Sequence, residues 1–406
     1  MCGIKLRNLS LSAFFLVVAL TIPGASGRKL GAELDGTELL IECAKDGPAA
    51  GIPGIYAMNS NGAVQLVIRD GGDPVWGPDH RKFCYSLFGE QIWLADLDLK
   101  IVQPVAKYGT LLNRFPDFWE PRSRLSTMAW LPDGTGILYW YPMSVGMFVE
   151  DDEYSVDAFM LILRRFTPDG SQAGFFLRQP PRGSAIGRVT FDSMGKGYAF
   201  ETARPLPAFG WRDRDVYVRR TPEEKPLALS LPFQAKGLLN PLWEPGSSRL
   251  AVDYLDQYGR RYCVVGNLDS AKQWQRVPLP GLRYQEKIEC IAGLEWAPSG
   301  ERFLIEVFPV GRHGDRVAVV NVAPGREPHL EYFLPGHKGS LQVRWSPTGK
   351  RVAILHAGQR LETERAAINV YDLEQDHDVD EYGMLSHRSY RIVRLPEGLR
   401  PVSIDW

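Results

Sequence analysis

The chain carries seven histidines, the side chains best suited to proton transfer and metal ligation near neutral pH. They are His80, His313, His329, His337, His356, His377 and His387. No two stand two or four residues apart, the spacings that put a pair on one face of a strand or helix to share a metal. Beyond residue 27 there is no GxSxG elbow, HExxH helix, Walker loop, CxxCH haem motif or dinucleotide GxGxxG. Any catalytic group must therefore be assembled from separate segments of the chain.

Two acidic runs offer oxygen ligands. One is Glu150-Asp-Asp-Glu153; the other, Asp372 to Glu381, has Asp376, Asp378 and Asp380 at alternate positions. Calcium loops use such spacing, but Glu381 stands where the sharp turn needs a glycine. Both runs are expected to be solvated loops, with no metal and no cofactor. The other chemistry is arginine beside aromatics, the composition of binding hot spots. It recurs at Phe115, Phe118, Trp119 and Arg122, at Arg204, Trp211, Arg212 and Arg214, and at Asp256, Tyr258, Arg260 and Arg261. Arg312 with His313, and Arg360 with Arg365, are poorer versions.

What positions these groups is a repeat. An apolar strand ends in an aromatic, a Pro/Asp/Gly-type turn follows, and a second apolar strand begins. The copies are Pro74-Val-Trp-Gly-Pro-Asp79, Met128-Ala-Trp-Leu-Pro-Asp-Gly134, Val189-Thr-Phe-Asp-Ser-Met-Gly195, Pro241-Leu-Trp-Glu-Pro-Gly246, Leu294-Glu-Trp-Ala-Pro-Ser-Gly300 and Val343-Arg-Trp-Ser-Pro-Thr-Gly349. Trp76, Trp130, Phe191, Trp243, Trp296, Trp345 and Trp406 fall about 50 to 60 residues apart, a period that suits a four-stranded propeller blade. Proline sets one backbone angle of the turn and glycine permits a positive one. Third strands follow, such as Gln91 to Leu97 and Ala367 to Leu373, and fourth strands end in Leu-Pro at Leu279, Leu334 and Leu395.

The ends complete the pattern. Glu38 to Cys43, Gly54 to Gly62 and Val64 to Ile68 read as strands two to four of a blade lacking its first. Arg400-Pro-Val-Ser-Ile-Asp-Trp406 reads as a first strand lacking its blade. Joining them closes a ring and removes exposed sheet edges. The expected fold is all-β: a single propeller of seven four-stranded blades, with six as the alternative count. In such a ring, loops from second to third strands share one face with loops entering each first strand. That face collects the arginine and aromatic residues, and the long stretch from Lys107 to Ser126 enters it.

The repeat resembles the TolB-like (WD40-like) propeller family, whose pattern is an apolar residue followed by Trp, Ser, Pro, Asp, Gly and an apolar strand. Ile55-Tyr-Ala-Met-Asn-Ser-Asn-Gly62, Trp76-Gly-Pro-Asp79 and Ile92-Trp-Leu-Ala-Asp-Leu97 carry the likeness best. It covers residues 28–406 at repeat level. It implies a scaffold that binds a protein or ligand, and its alternative is a carbohydrate lyase or hydrolase with an active site at the axial mouth. TolB itself resembles an α/β domain ahead of a six-bladed propeller, and no room for that domain precedes the first strand here. Phe191-Asp-Ser-Met-Gly195 departs from the pattern in lacking both Trp and Pro.

Lys5 and Arg7, the apolar stretch Leu9 to Ile22, and small residues at Ala25 and Gly27 form a secretory signal cut after Gly27, with an uncleaved anchor as the alternative. Residues 1–27 are thus leader and 28–406 the propeller, placed in the periplasm or outside the cell with no membrane span after cleavage. Export leaves Cys43, Cys84, Cys263 and Cys290. They either pair as Cys43–Cys84 and Cys263–Cys290 or remain four buried thiols. With 47 Lys plus Arg against 48 Asp plus Glu, the charge gives nucleic acid no general attraction. The expected partner is an envelope or secreted protein, or a small acidic ligand.

Overall fold

The repeated apolar strands pair as the sequence suggests, in seven antiparallel sheets. The computed structural model describes residues 28–29, 37–46, 51–87, 91–97, 101–107, 129–149, 152–166, 172–177, 185–206, 210–221, 224–269, 274–277, 288–309, 316–334, 340–356, 366–374 and 390–406. The sheets stand in a ring as a seven-bladed propeller. Blade 1 is built from Leu399–Asp405, Thr37–Lys45, Gly54–Asn59 and Val64–Arg69, innermost strand first. The C-terminal strand therefore closes the ring, with Ile41 opposite Ile404 and Leu40 opposite Asp405. Blades 2 to 7 follow in chain order. Their inner strands are Gly71–Trp76, Ala129–Trp130, Ala185–Phe191, Gly237–Trp243, Ile288–Trp296 and Ser340–Trp345. Blade 2 exceeds the expected four strands: Arg28–Lys29 pairs outside Ile101–Lys107 as a fifth.

Adjacent blades are joined through the repeated aromatics. The Trp130 indole N–H donates to the Val75 carbonyl at 3.2 Å, and the Trp296 indole N–H to the Leu242 carbonyl at 2.9 Å. Elsewhere the aromatic's backbone N–H reaches the side chain that precedes the aromatic of the blade before. Trp76 donates to Asp405 Oδ2 at 2.6 Å, Trp345 to Glu295 Oε2 at 2.8 Å, and Trp243 to Thr190 Oγ1 at 3.4 Å. Arg249 stacks over the Trp296 ring of the next blade and grips Glu244; Arg351 stacks over Trp406 and grips Glu38 with two bonds of 2.7 and 2.8 Å. The turns also touch around the ring. A Cβ added to Gly300, at φ +75, would meet Glu244 Oε1 at 2.7 Å, and one on Gly195 would meet Pro132 at 3.2 Å. Glycine is thus required there by crowding as well as by the backbone angle.

The disulfide alternative is overturned. Cys43, Cys84 and Cys263 are free, buried thiols packed in the apolar cores. Burial pushes Cys43 up to about 12 and Cys84 and Cys263 well above the ordinary thiol range. Their positions inside second and third strands explain this: those strands are packed on both faces, and cysteine serves there as a small apolar residue.

Two outcomes follow. Deleting residues 398–406 removes the buried Leu399, Ile404 and Trp406, whose burial is worth roughly 5–8 kcal/mol. That is on the scale of a whole domain's stability, so cooperative melting should be lost; a truncated chain melting like the full one would disprove the closure. In a thiol titration with Ellman's reagent, Cys43, Cys84 and Cys263 should stay unreactive until the protein unfolds. Reducing agent should leave the melting temperature unchanged.

Candidate functional site

The inner strands are not regular, and their irregularity builds a polar layer. Bulges fall between Gly72 and Val75 in blade 2 and between Leu239 and Leu242 in blade 5. At these bulges Asp73 and Asn240 take left-handed backbone angles, with φ of 49° and 53°. Such a kink turns an N–H out of its own ladder, and the preceding blade supplies the acceptor. Glu42 accepts from the Asp73 N–H at 2.9 Å, and Glu201 from the Asn240 N–H at 3.0 Å. Asp253 accepts from the Gly293 N–H at 2.8 Å across the next junction. The Asn240 amide completes the set, donating to Asp253 Oδ2 and the Gly293 carbonyl at 2.8 and 2.7 Å.

Glu42, Asp253 and Glu306 occupy the later half of their second strands and Glu201 is fourth of nine in its own, so they lie near or beyond the middle, toward the face where second strands lead into third strands. Glu201, Asp253 and Glu306 come from blades 4, 5 and 6 and are all buried. Arginines at the start of third strands lie over them. Arg214 reaches Glu201 at 3.4 Å, and Arg261 bonds Asp253 Oδ2 through Nε at 3.0 Å and Nη2 at 2.5 Å. Burial works against charge on Arg261, but Asp253, Glu201 and Glu306 hold its pKa above the ordinary value. Burial also raises the Glu201 pKa, a shift that Arg214 and the Asn240 N–H only partly offset.

Beside this layer stands a rigid hairpin tip. Asp256 Oδ1 accepts from the backbone N–H groups of Tyr258 and Arg260 at 2.8 and 2.9 Å, and Gly259 takes φ +79. The tip presents Tyr258, 74% exposed, with the Arg260 guanidinium 5.7 Å from its ring centre. With its backbone held by these two hydrogen bonds, the tip has less backbone entropy to lose on binding.

The expected site residues are distributed as follows. Tyr258 and Arg260 lie together on the tip. Arg204 and Arg212 are register partners, as are Pro205 and Trp211, in the blade 4 hairpin that rises toward the same face. Phe118, Trp119, Arg122, Arg312, His313 and Arg360 lie outside the described residues. So do residues 375–381 of the second acidic run; in the first, Asp152 is the register partner of Val149 at a hairpin end. His80 and His356 do not meet: His80 is in the turn after the inner strand of blade 2, whereas His356 ends the second strand of blade 7 and contacts Asn369 at 3.1 Å. Among the described residues, no three His, Cys, Asp or Glu side chains are grouped as metal ligands. Sequence reading missed Glu42, Glu201, Asp253 and Glu306 as a layer. The available signal was an acidic residue late in an otherwise apolar second strand.

No family model matches the sequence, and no curated relative matches it. Solved structures do. An oligogalacturonate lyase in complex with manganese aligns over 86% of this chain and 84% of its own, with a TM-score of 0.53 and 12% identity. The chain shares the propeller fold. A putative 6-phosphogluconolactonase from Bacteroides uniformis gives 0.50, 12% identity, 91% of this chain and 99% of that one. TolB from Acinetobacter baumannii is also among the neighbours, at 0.42 and 13% identity over 74% of this chain and 60% of its own. At these identities the likeness concerns architecture, and function must be argued from the residues.

The Glu201 shift has a testable sign. Folding raises its pKa, so the native state holds the proton more tightly than the unfolded chain. The cost of the ionised form is absent below the ordinary glutamate pKa of about 4.3 and grows as pH rises above it. Glu201→Gln removes that dependence. The melting-temperature difference, variant minus wild type, should increase with pH upward from about 4.3; a difference that does not change with pH would refute the assignment.

Proposed function

We propose that the protein is an exported TolB-like propeller that works in the periplasm, or outside the cell, as a binding scaffold. Its working surface is the face onto which second strands open into third strands. The observation that carries this reading is the hairpin tip of blade 5, where Asp256 fixes an exposed Tyr258 with Arg260 against it. Exposed tyrosine and arginine on a rigid scaffold are the residues that most often dominate protein recognition. The proposed surface also includes Arg204, Trp211 and Arg212, which lie in the paired strands of the blade 4 hairpin. Export is supported by the basic, apolar and small-residue order of residues 5–27. No helix among the described residues is long and apolar enough to cross a membrane.

The test is a pull-down from the native envelope fraction with tagged wild-type protein and a Trp119→Ala/Arg212→Ala variant. The wild type should enrich a defined partner, and the variant should lose it while melting at the same temperature. Undiminished capture by the variant would remove this face from consideration.

A further inference from the structure

We infer that the junction of blades 4 and 5 is a docking groove for an acidic, extended peptide segment of a protein partner. This deepens the scaffold reading and rests on it. The argument starts from where each sign of charge sits. Glu201 and Asp253 have side chains only 7% and 1% exposed, whereas those of Arg214 and Arg261 are 31% and 28% exposed. The carboxylates are therefore underneath and the arginine side chains are partly open to water. Two bonds to buried Asp253 hold the plane of Arg261, which removes much of the rotamer freedom that an arginine ordinarily loses on binding an anion.

The surrounding exposed groups have the same sign. The backbone of Lys236 is tied to the base of the blade 5 hairpin by its N–H on the Leu255 carbonyl at 2.8 Å, and its side chain is exposed. Gly237 follows it, and a Cβ there would meet the Arg214 carbonyl at 3.1 Å, so the two blade tops are in contact at this point. Arg260 and Tyr258 mark the outer end. Solvent thus meets Arg214, Lys236, Arg260 and Arg261, while of the acids nearby Glu201 and Asp253 are buried and Asp256 is engaged in its own turn.

The shape of the patch selects the ligand. The inner arginines sit beside the central bulge at Asn240, and Tyr258 sits at a hairpin tip. A ligand that touches both runs outward across two blades, as an extended chain does. Arginine forks match carboxylates in two parallel bonds. The tyrosine ring carries the Arg260 guanidinium on one face, 5.7 Å from its centre, which takes that face away from stacking on a sugar ring and leaves a cationic, amphipathic contact.

The experiment is fluorescence anisotropy at low salt with a labelled deca-glutamate peptide, with a labelled oligogalacturonate of equal charge in parallel. The full chain should bind the peptide more tightly than the saccharide. Because Arg260 and Tyr258 are exposed, Arg260→Glu and Tyr258→Ala should keep the wild-type melting temperature. Arg260→Glu should weaken the peptide about tenfold or more and Tyr258→Ala several-fold. An Asp253→Asn/Arg261→Gln double variant, which removes both charges of the pair together, should also weaken it. The proposal fails if the peptide does not bind, if the exposed variants bind it as well as wild type, or if the saccharide binds more tightly. Should the envelope partner be captured equally by Arg260→Glu but lost by Trp119→Ala/Arg212→Ala, the scaffold reading stands and this groove falls.

Discussion

Everything in this molecule depends on hydrogen bonds that cross from one blade to the next. A propeller blade is a small twisted sheet, and its inner strand has little sequence-local support. Blade 3 contributes only Ala129–Trp130 as its described inner strand. What fixes such a strand is an N–H of one blade accepted by the blade before it. The acceptor is a carbonyl at Val75 and Leu242, a carboxylate at Asp405 and Glu295, and a hydroxyl at Thr190. The position is invariant while the chemistry of the acceptor is not. A buried N–H left without a partner would cost about 1–3 kcal/mol, so each of these five junctions keeps one solution or another.

The two faces of the ring answer to different demands. On the face bearing the Pro/Gly turns, neighbouring turns pack against each other and arginines cap the next tryptophan. Little space or freedom remains there. On the opposite face the same need for N–H acceptors is met by buried carboxylates, which bring arginines with them. Charge is thereby introduced into the interior for structural reasons, and its compensation is what reaches the surface. Partly exposed arginine on this face is a by-product of how the inner strands are pinned.

The blade count, the strand order and the closure by Trp406 were readable because aromatic, proline and glycine recur at fixed places, and because each serves a local geometry. Phe191 shows the tolerance of that code: without Trp or Pro, its blade still forms, with Phe191 against Tyr198 at 6.2 Å and Thr190 serving as acceptor. The fifth strand at Arg28–Lys29 was not readable, since two basic residues carry no strand pattern. Cysteine pairing was not readable either: Cys84 and Cys263 look alike in sequence whether bridged or buried, and only the packing of both sheet faces decides. Tyr258 and Arg260 were singled out from composition, and the structure sets them side by side on one hairpin tip. The carboxylates beneath their neighbours were not, because Glu201 and Asp253 acquire meaning only when a bulge two blade strands away turns an N–H toward them.

The closing strand has a further consequence, in time rather than in space. Ser403 bonds Glu42 across a separation of 361 residues. A chain made from its N-terminus holds Leu39, Leu40 and Ile41 with no partner on one edge until Leu399–Asp405 has been added. Blades 2 to 7 can each form as they emerge, but the circle stays open. The strand that completes the first blade is thus made after the strands of the other six.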